Sequence, residues 1–148
     1  MSPQAQQIVL IVQHFATQNN AFVAAGPGAG NAITNLVMQQ ANQEVAAQFG
    51  EAVVERAFLE GVRQNVDYYL EETKEVIEVE FSLRNPYPCL EKDCMKVLLA
   101  RDGGFEIERL ILVGDPGCGQ RLAAAAPQAI IGYLRRIHGL VVEIHELT

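Results

Sequence analysis

The sequence contains few cysteines and no long hydrophobic run. Its three cysteines, Cys89, Cys94 and Cys118, are odd in number, and the Cys-x4-Cys pair lacks the second pair that a four-ligand zinc site needs. The N-terminal apolar run at 8–12 has no Lys or Arg before it, which is unlike a signal peptide or a membrane span. We therefore expect a soluble, cytoplasmic protein with reduced thiols and no membrane partner.

The chain also lacks a surplus of basic residues. Its formal net charge is −7, which argues against a strong electrostatic grip on nucleic acid by the monomer. The acidity is concentrated, because residues 44–80 include ten acidic and three basic residues. A length of 148 residues predicts one domain over 1–148, with an N-terminal helix and Gly-rich loop at 1–30 and a core at 31–148.

Two helices are predicted in the N-terminal third. Residues 3–18 place Ile8, Val12 and Phe15 on one stripe, and residues 31–49 form the second amphipathic helix, which Gly50 ends. The side of the second helix that we expect to be buried comprises Ile33, Leu36, Val37, Val45 and Phe49. Residues 52–62 are compatible with a helix or a strand, and their composition does not decide between them.

The pattern of residues 65–83 predicts two antiparallel strands joined by a polar turn. In the second strand, apolar residues alternate with Glu78, Glu80 and Ser82, so a period of two predicts one core face and one acidic face. The apolar positions are Ile77, Val79, Phe81 and Leu83. A turn centred on residues 72–73 places Asp67 directly opposite Glu78, where like charges are destabilising unless something offsets them.

Three carboxylates, those of Asp67, Glu78 and Glu80, would then converge on one patch. A divalent cation such as Mg²⁺ or Mn²⁺ is a natural counter-charge, because hard cations bind carboxylate oxygens and keep water ligands. The alternative is that these residues lie on the solvated face of an antiparallel sheet, where glutamate is common.

The second half of the chain alternates between strands and helices. We predict a helix over 89–102, a buried strand over 107–115, a helix over 120–138 and a last strand over 140–147. The inward side of the 120–138 helix is expected to comprise Ala126, Ile130, Leu134 and Ile137. This order predicts an α/β fold with a parallel or mixed sheet and right-handed crossovers.

The segment LILVGDPGCGQR at 110–121 superficially has the form of a phosphate-binding loop. The lysine and the hydroxyl residue of that motif would fall at Gln120 and Arg121, so the groups that contact phosphate and magnesium are missing. The missing groups argue against nucleotide hydrolysis at the loop. A small anion bound by backbone amides of the turn at 114–119 stays open as an alternative.

The hairpin with Asp67, Glu78 and Glu80, followed by a helix and a strand, resembles the PD-(D/E)xK nuclease superfamily over residues 31–115. The resemblance implies a restriction endonuclease-like core of helix, antiparallel strands, helix and strand, with an added N-terminal helix and a C-terminal helix-strand unit. In the motif after which the superfamily is named, lysine is the commonest residue at the position of Glu80. The motif has a proline before its first acid, whereas Asn-Val precedes Asp67 here.

The resemblance further implies a metal-dependent endonuclease that hydrolyses DNA as a homodimer. Asp67 and Glu78 would hold Mg²⁺ or Mn²⁺, and Glu80 would orient the attacking water or share a metal. The auxiliary candidates are Glu44 as a further acid, Lys92 and Lys96 as a displaced lysine, and Arg84 as a source of positive charge. The competing hypothesis is a non-catalytic α/β interaction protein whose acidic hairpin face is only solvated.

Overall fold

The computed structural model describes residues 1–23, 29–58, 65–81 and 86–148, without the side chains of 29, 30 and 86. The helices are α1 (Pro3–Gln18), α2 (Ala29–Phe49), α3 (Pro86–Asp102), α4 (Cys118–Leu122) and α5 (Ala125–His138). The strands are β1 (Val54–Ala57), β2 (Asn65–Leu70), β3 (Glu75–Glu80), β4 (Arg109–Gly114) and β5 (Val141–Glu146). A 3₁₀ turn, Glu51–Val53, precedes β1.

The described strands form one mixed sheet in the order β1-β2-β3-β4-β5. The pairs β1–β2 and β2–β3 are antiparallel, whereas β3–β4 and β4–β5 are parallel. Parallel neighbours need a crossover, which α3 supplies between β3 and β4 and which α4 and α5 supply between β4 and β5. The predicted α/β fold with a mixed sheet is confirmed.

Both faces of the sheet are covered by helices. One apolar cluster joins α1 and α2 to residues such as Tyr68, Ile77 and Ile111, and all three side chains are fully buried. The other cluster joins α3, α4 and α5 to the opposite face through residues such as Val76 and Leu110. Glu78 is only 4% exposed, so the prediction of a solvated face is wrong at this residue.

The register predicted for the hairpin is confirmed. Tyr68 pairs with Ile77, and Leu70 pairs with Glu75, around a turn at residues 71–74. The sequence predicted this register because apolar alternation on each strand fixes which residues can face the core together. Val79 and Phe81 pack against the α1–α2 side as expected, whereas Leu83 lies outside the described residues.

The predicted helix over 120–138 is in fact two helices. Pro127 lies in the first turn of α5, and its ring would clash with the carbonyl of Ala123 in a continuous helix. The inward stripe consists of Pro127, Ile130, Ile131 and Leu134. The predicted inward positions Ala126 and Ile137 are exposed, the latter by 57%.

Other helix boundaries differ by a few residues from the predicted ones. The α1 boundaries are as predicted, but α2 begins at Ala29 rather than Asn31, and its Leu36 is 44% exposed instead of buried. α3 begins at Pro86, because proline in a first turn costs no helical hydrogen bond. Within the described residues, no helix is long and apolar enough to cross a membrane.

Candidate active site

The hairpin brings the carboxyl groups of Asp67 and Glu78 together. The backbones of β2 and β3 pair from Leu70 to Tyr68. At the next residue, Asp67, the side chain accepts the hydrogen bond from β3. Its Oδ2 accepts the backbone N–H of Val79 at 2.7 Å, and its carboxyl group also contacts that of Glu78. The two acids predicted to face each other therefore do so.

Helix α3 places a lysine directly on this acid pair. The Lys96 Nζ donates to Glu78 Oε1 at 2.8 Å, and the Lys96 side chain is only 13% exposed. Asp93, one turn earlier on α3, lies 3.2 Å from the same Nζ through its Oδ1. Lys96 is thus a buried ammonium group between a strand carboxylate and a helix carboxylate.

Glu80 lies at the solvent side of the same site. Lys92 donates to Glu80 Oε1 at 2.7 Å, and its Nζ is 3.6 Å from Asp93 Oδ1. The Glu80 side chain is 27% exposed, so it remains open to water, whereas Glu78 and Asp93 are buried. Lys92 and Lys96 were the two candidates for a displaced lysine. Lys92 contacts Glu80, and Lys96 contacts Glu78.

Burial dominates the electrostatics of the acid pair. Removal from water raises the pKa of Glu78 to about 8, with repulsion from Asp67 and Asp93 adding to the effect and Lys96 opposing it. Burial likewise raises the pKa of Asp67 to about 6, against the hydrogen bond from Val79. Raised pKa values of this kind mean that the nearby positive charge is too small to stabilise both carboxylates in their ionised forms.

Asp93 is the site residue that the sequence analysis missed. Its side chain is fully buried, and its Oδ1 forms ion pairs with Lys96 at 3.2 Å and Lys92 at 3.6 Å. A signal was present, because Asp93 falls on the apolar stripe of α3 between Leu90 and Val97. An acid inside a buried stripe requires a nearby cation or proton.

Two of the predicted auxiliary residues are not part of this cluster. Glu44 lies on α2, on the other side of the sheet, where it accepts a hydrogen bond from Gln48 and lines a groove with residues of α1. Arg84 lies outside the described residues. A different α2 residue, Asn42, contacts the strand that carries Asp67, because its Oδ1 accepts the hydroxyl of Tyr68 at 2.8 Å.

The turn after β4 does not offer free amides to an anion. The backbone N–H of Gly119 donates to the Glu146 carboxylate at 3.1 Å. This bond and one from Gly117 lower the pKa of Glu146, so the carboxylate stays ionised in that position. The anion-binding alternative for residues 114–119 is therefore disfavoured, because a side chain of the protein already occupies the amides.

The acid cluster contains the type of oxygen ligand that a hard divalent cation binds, but no complete set of ligands within the part of the chain that the structure describes. Among the described residues, no three Asp, Glu, His or Cys side chains form a ready ligand set. The four carboxylates of Asp67, Glu78, Glu80 and Asp93 nevertheless outnumber the two ammonium groups of Lys92 and Lys96, which leaves a formal charge of −2 when all are ionised. Carboxylate oxygens are the ligands that Mg²⁺ prefers in proteins.

No protein-family model, curated protein or solved structure matches this chain. What the fold and the site define together is a class: an α/β protein with a five-stranded mixed sheet and an enclosed acid–lysine cluster where an antiparallel hairpin meets the following helix.

Proposed function

We propose that this protein is a metal-dependent endonuclease that hydrolyses phosphodiester bonds of DNA, with a restriction endonuclease-like core. The proposal rests on the strand acids Asp67 and Glu78, the third acid Glu80 and the order helix, antiparallel strands, helix, parallel strand. The resemblance to the PD-(D/E)xK superfamily assigns the same three acids to the same strands.

The observation that carries the proposal is the convergence of Asp67, Glu78 and Lys96. Two carboxylates from neighbouring strands and one enclosed ammonium group are the groups that phosphodiester hydrolysis needs, namely cation ligands and a fixed positive charge. Apolar side chains would cover this part of the sheet at a lower cost in free energy, because buried charges are costly even when paired.

Each residue of the site has a distinct role in this proposal. A divalent ion held by Asp67 and Glu78 would lower the pKa of a bound water and polarise the phosphate ester. Glu80, which is partly open to solvent, orients the attacking water and accepts its proton as the new P–O bond forms and the leaving oxygen departs. The Lys96 ammonium stabilises the negative charge that develops on the phosphate oxygens.

The DNA partner and the homodimer belong to the same proposal. A palindromic target has a two-fold axis, and a dimer with the same symmetry presents one acid cluster to each strand. The net charge of −7 makes the divalent ion more important for binding, because few basic side chains offset the phosphate charge.

Cleavage of plasmid and branched DNA in the presence of Mg²⁺ or Mn²⁺ tests the proposal. We expect the wild type to cut and the variants Asp67→Asn and Glu78→Gln to lose at least about 10²-fold in rate, since each removes a ligand charge. Glu72→Gln is the matched control, because Glu72 is an exposed acid in the turn at the far end of the same hairpin. Cleavage that persists in both site variants would contradict the proposal.

Metal binding can be measured without DNA. We expect about 1 mM Mn²⁺ to raise the melting temperature of the wild type and of Glu72→Gln, because an ion that binds only the folded state stabilises it. The rise should be lost in Asp67→Ala. An equal rise in Asp67→Ala would place the ion elsewhere.

One observation favours a second candidate, a non-catalytic interaction protein. Lys96 already contacts both Glu78 and Asp93, so the cluster has an internal cation and could serve only to fix α3 on the sheet. In that case metal leaves the melting temperature unchanged, and Asp67→Ala raises it by relieving the repulsion from Glu78.

A further inference from the structure

The cluster contains a fully buried acid to which the proposed function gives no role. Asp93 is 0% exposed, stands on α3 rather than on a strand, and contacts the ammonium groups of Lys96 and Lys92 through its Oδ1. A buried carboxylate is costly even when it is paired with a cation, so its presence at this position calls for a role. Its nearest cation is the Lys96 Nζ at 3.2 Å.

The spacing of the two residues on α3 explains their contact. Asp93 and Lys96 are three positions apart, so their side chains leave the helix on the same side. Asp93 is enclosed between α3 and the sheet, whereas the Lys96 side chain extends from it towards Glu78 on β3. The ammonium group is thus held from both sides and has little freedom to swing into solvent.

We propose that Asp93 is a positioning residue that holds the Lys96 ammonium at the acid pair, so that this helix lysine supplies the positive charge that Glu80 cannot. The inference rests on the proposed function and deepens it by naming the residue that holds Lys96 in place. Lys92 does not share this role, because its side chain is 53% exposed and is directed to Glu80.

A lysine fixed beside cation ligands has two opposite effects. Its charge repels a divalent ion at Asp67 and Glu78, and the same charge stabilises the negative charge that forms on the phosphate during hydrolysis. Removing the ammonium should therefore strengthen metal binding and weaken catalysis at the same time. A lysine that only stabilises the fold would not produce this pair of changes.

The test is a double-mutant cycle on Asp93→Asn and Lys96→Met with two readouts, the Kd for Mn²⁺ measured by calorimetry without DNA and kcat for DNA cleavage. We expect Lys96→Met to bind Mn²⁺ about tenfold more tightly and to lose about 10²-fold in kcat. Lys96→Arg, which keeps the charge, should recover part of kcat. Asp93→Asn should lower kcat about tenfold with KM unchanged, since a misplaced group costs rate rather than substrate binding.

The decisive comparison is Asp93→Asn in the Lys96→Met background. If Asp93 acts through Lys96, the second substitution has no further effect on kcat, because the group that it positions is gone. Glu91→Gln is the matched control, as it removes the same charge from an exposed position of α3 and should change neither readout. Thermal unfolding of every variant identifies those that are not folded.

The outcomes separate the two proposals. Mn²⁺ binding with additive effects of the two substitutions on kcat overturns the role of Asp93 and leaves the proposed function standing. Weaker Mn²⁺ binding in Lys96→Met overturns the assignment of Lys96 as an opposing charge. No Mn²⁺ binding by the folded wild type overturns the proposed function, and the catalytic role of Lys96 with it.

Discussion

Glu78 shows what burial does to a single carboxyl group. It lies in the centre of a sheet covered on both faces, with an ammonium group at 2.8 Å and two further acids nearby. The pKa is nevertheless raised to about 8, because desolvation and repulsion together outweigh one cation. The folded protein therefore holds a proton at Glu78 in a pH range where the unfolded chain has released it.

This difference predicts a pH dependence of stability with a definite sign. Between about pH 5 and about pH 8 the unfolded state binds fewer protons than the folded state, so the free energy of unfolding falls as the pH rises. Glu78→Gln should reduce this fall by roughly 3–4 kcal/mol, whereas Glu72→Gln should leave it unchanged. Urea denaturation of the wild type and of both variants at about pH 5 and about pH 8 measures the free energy of unfolding. An equal fall in wild type and Glu78→Gln would show that another group is responsible.

At the residue scale, the sequence predicted the strand acids but not the acid on the helix. Asp67 and Glu78 were found because alternation fixes facing pairs within a hairpin, which is a local rule. Asp93 was missed because its burial depends on how α3 lies across the sheet, and a charge between two lysines otherwise indicates a solvated helix face. Glu44 was placed on the correct helix, but α2 covers the opposite side of the sheet.

At the scale of elements, glycine and proline set the helix ends. Gly139 ends α5 in the left-handed region with φ of 62°, and its N–H bonds back to Arg135 and Leu134 at the end of the helix. Pro127 prevents α4 from continuing, so α5 begins as a separate helix. The apolar pattern of 120–138 alone could not show this break, because both helices bury residues with a similar spacing.

A glycine inside α5 and the glycine directly after it should respond to substitution by alanine in opposite ways. Gly132 lies inside the helix, and no atom would come within 4 Å of an added methyl group, so Gly132→Ala should stabilise the protein by about 0.5–1 kcal/mol. Gly139 also has open space, but its positive φ disfavours any side chain, so Gly139→Ala should destabilise by about 1 kcal/mol. Denaturant midpoints of the two variants give the comparison. Changes of the same sign would contradict this account of the helix end.

At the scale of the whole molecule, the net charge affects how the protein would bind DNA, its proposed partner. With a net charge of −7, the protein has an excess of acidic over basic side chains, so the contribution of released counterions to the proposed DNA binding should be small. The affinity for DNA should therefore depend weakly on monovalent salt and strongly on the divalent ion.

Fluorescence anisotropy with labelled DNA tests this expectation between about 50 and 200 mM KCl, with Ca²⁺ in place of Mg²⁺. The slope of log K against log[KCl] should correspond to fewer than about four phosphate contacts. Replacing Ca²⁺ by a chelator should abolish binding, and Glu72→Gln should behave as the wild type. A steep slope that persists with the chelator would indicate a basic surface instead of a metal-centred one.

The strand order of the sheet is the same as the order of the strands in the chain. During synthesis on the ribosome, each new strand can therefore add to the edge formed by the one before it, and none has to insert between two that are already paired. The hairpin with Asp67 and Glu78 emerges before α3 delivers Lys96. For that interval the nascent chain carries a facing acid pair without its cation, so the two strands should hold together only weakly until the helix arrives.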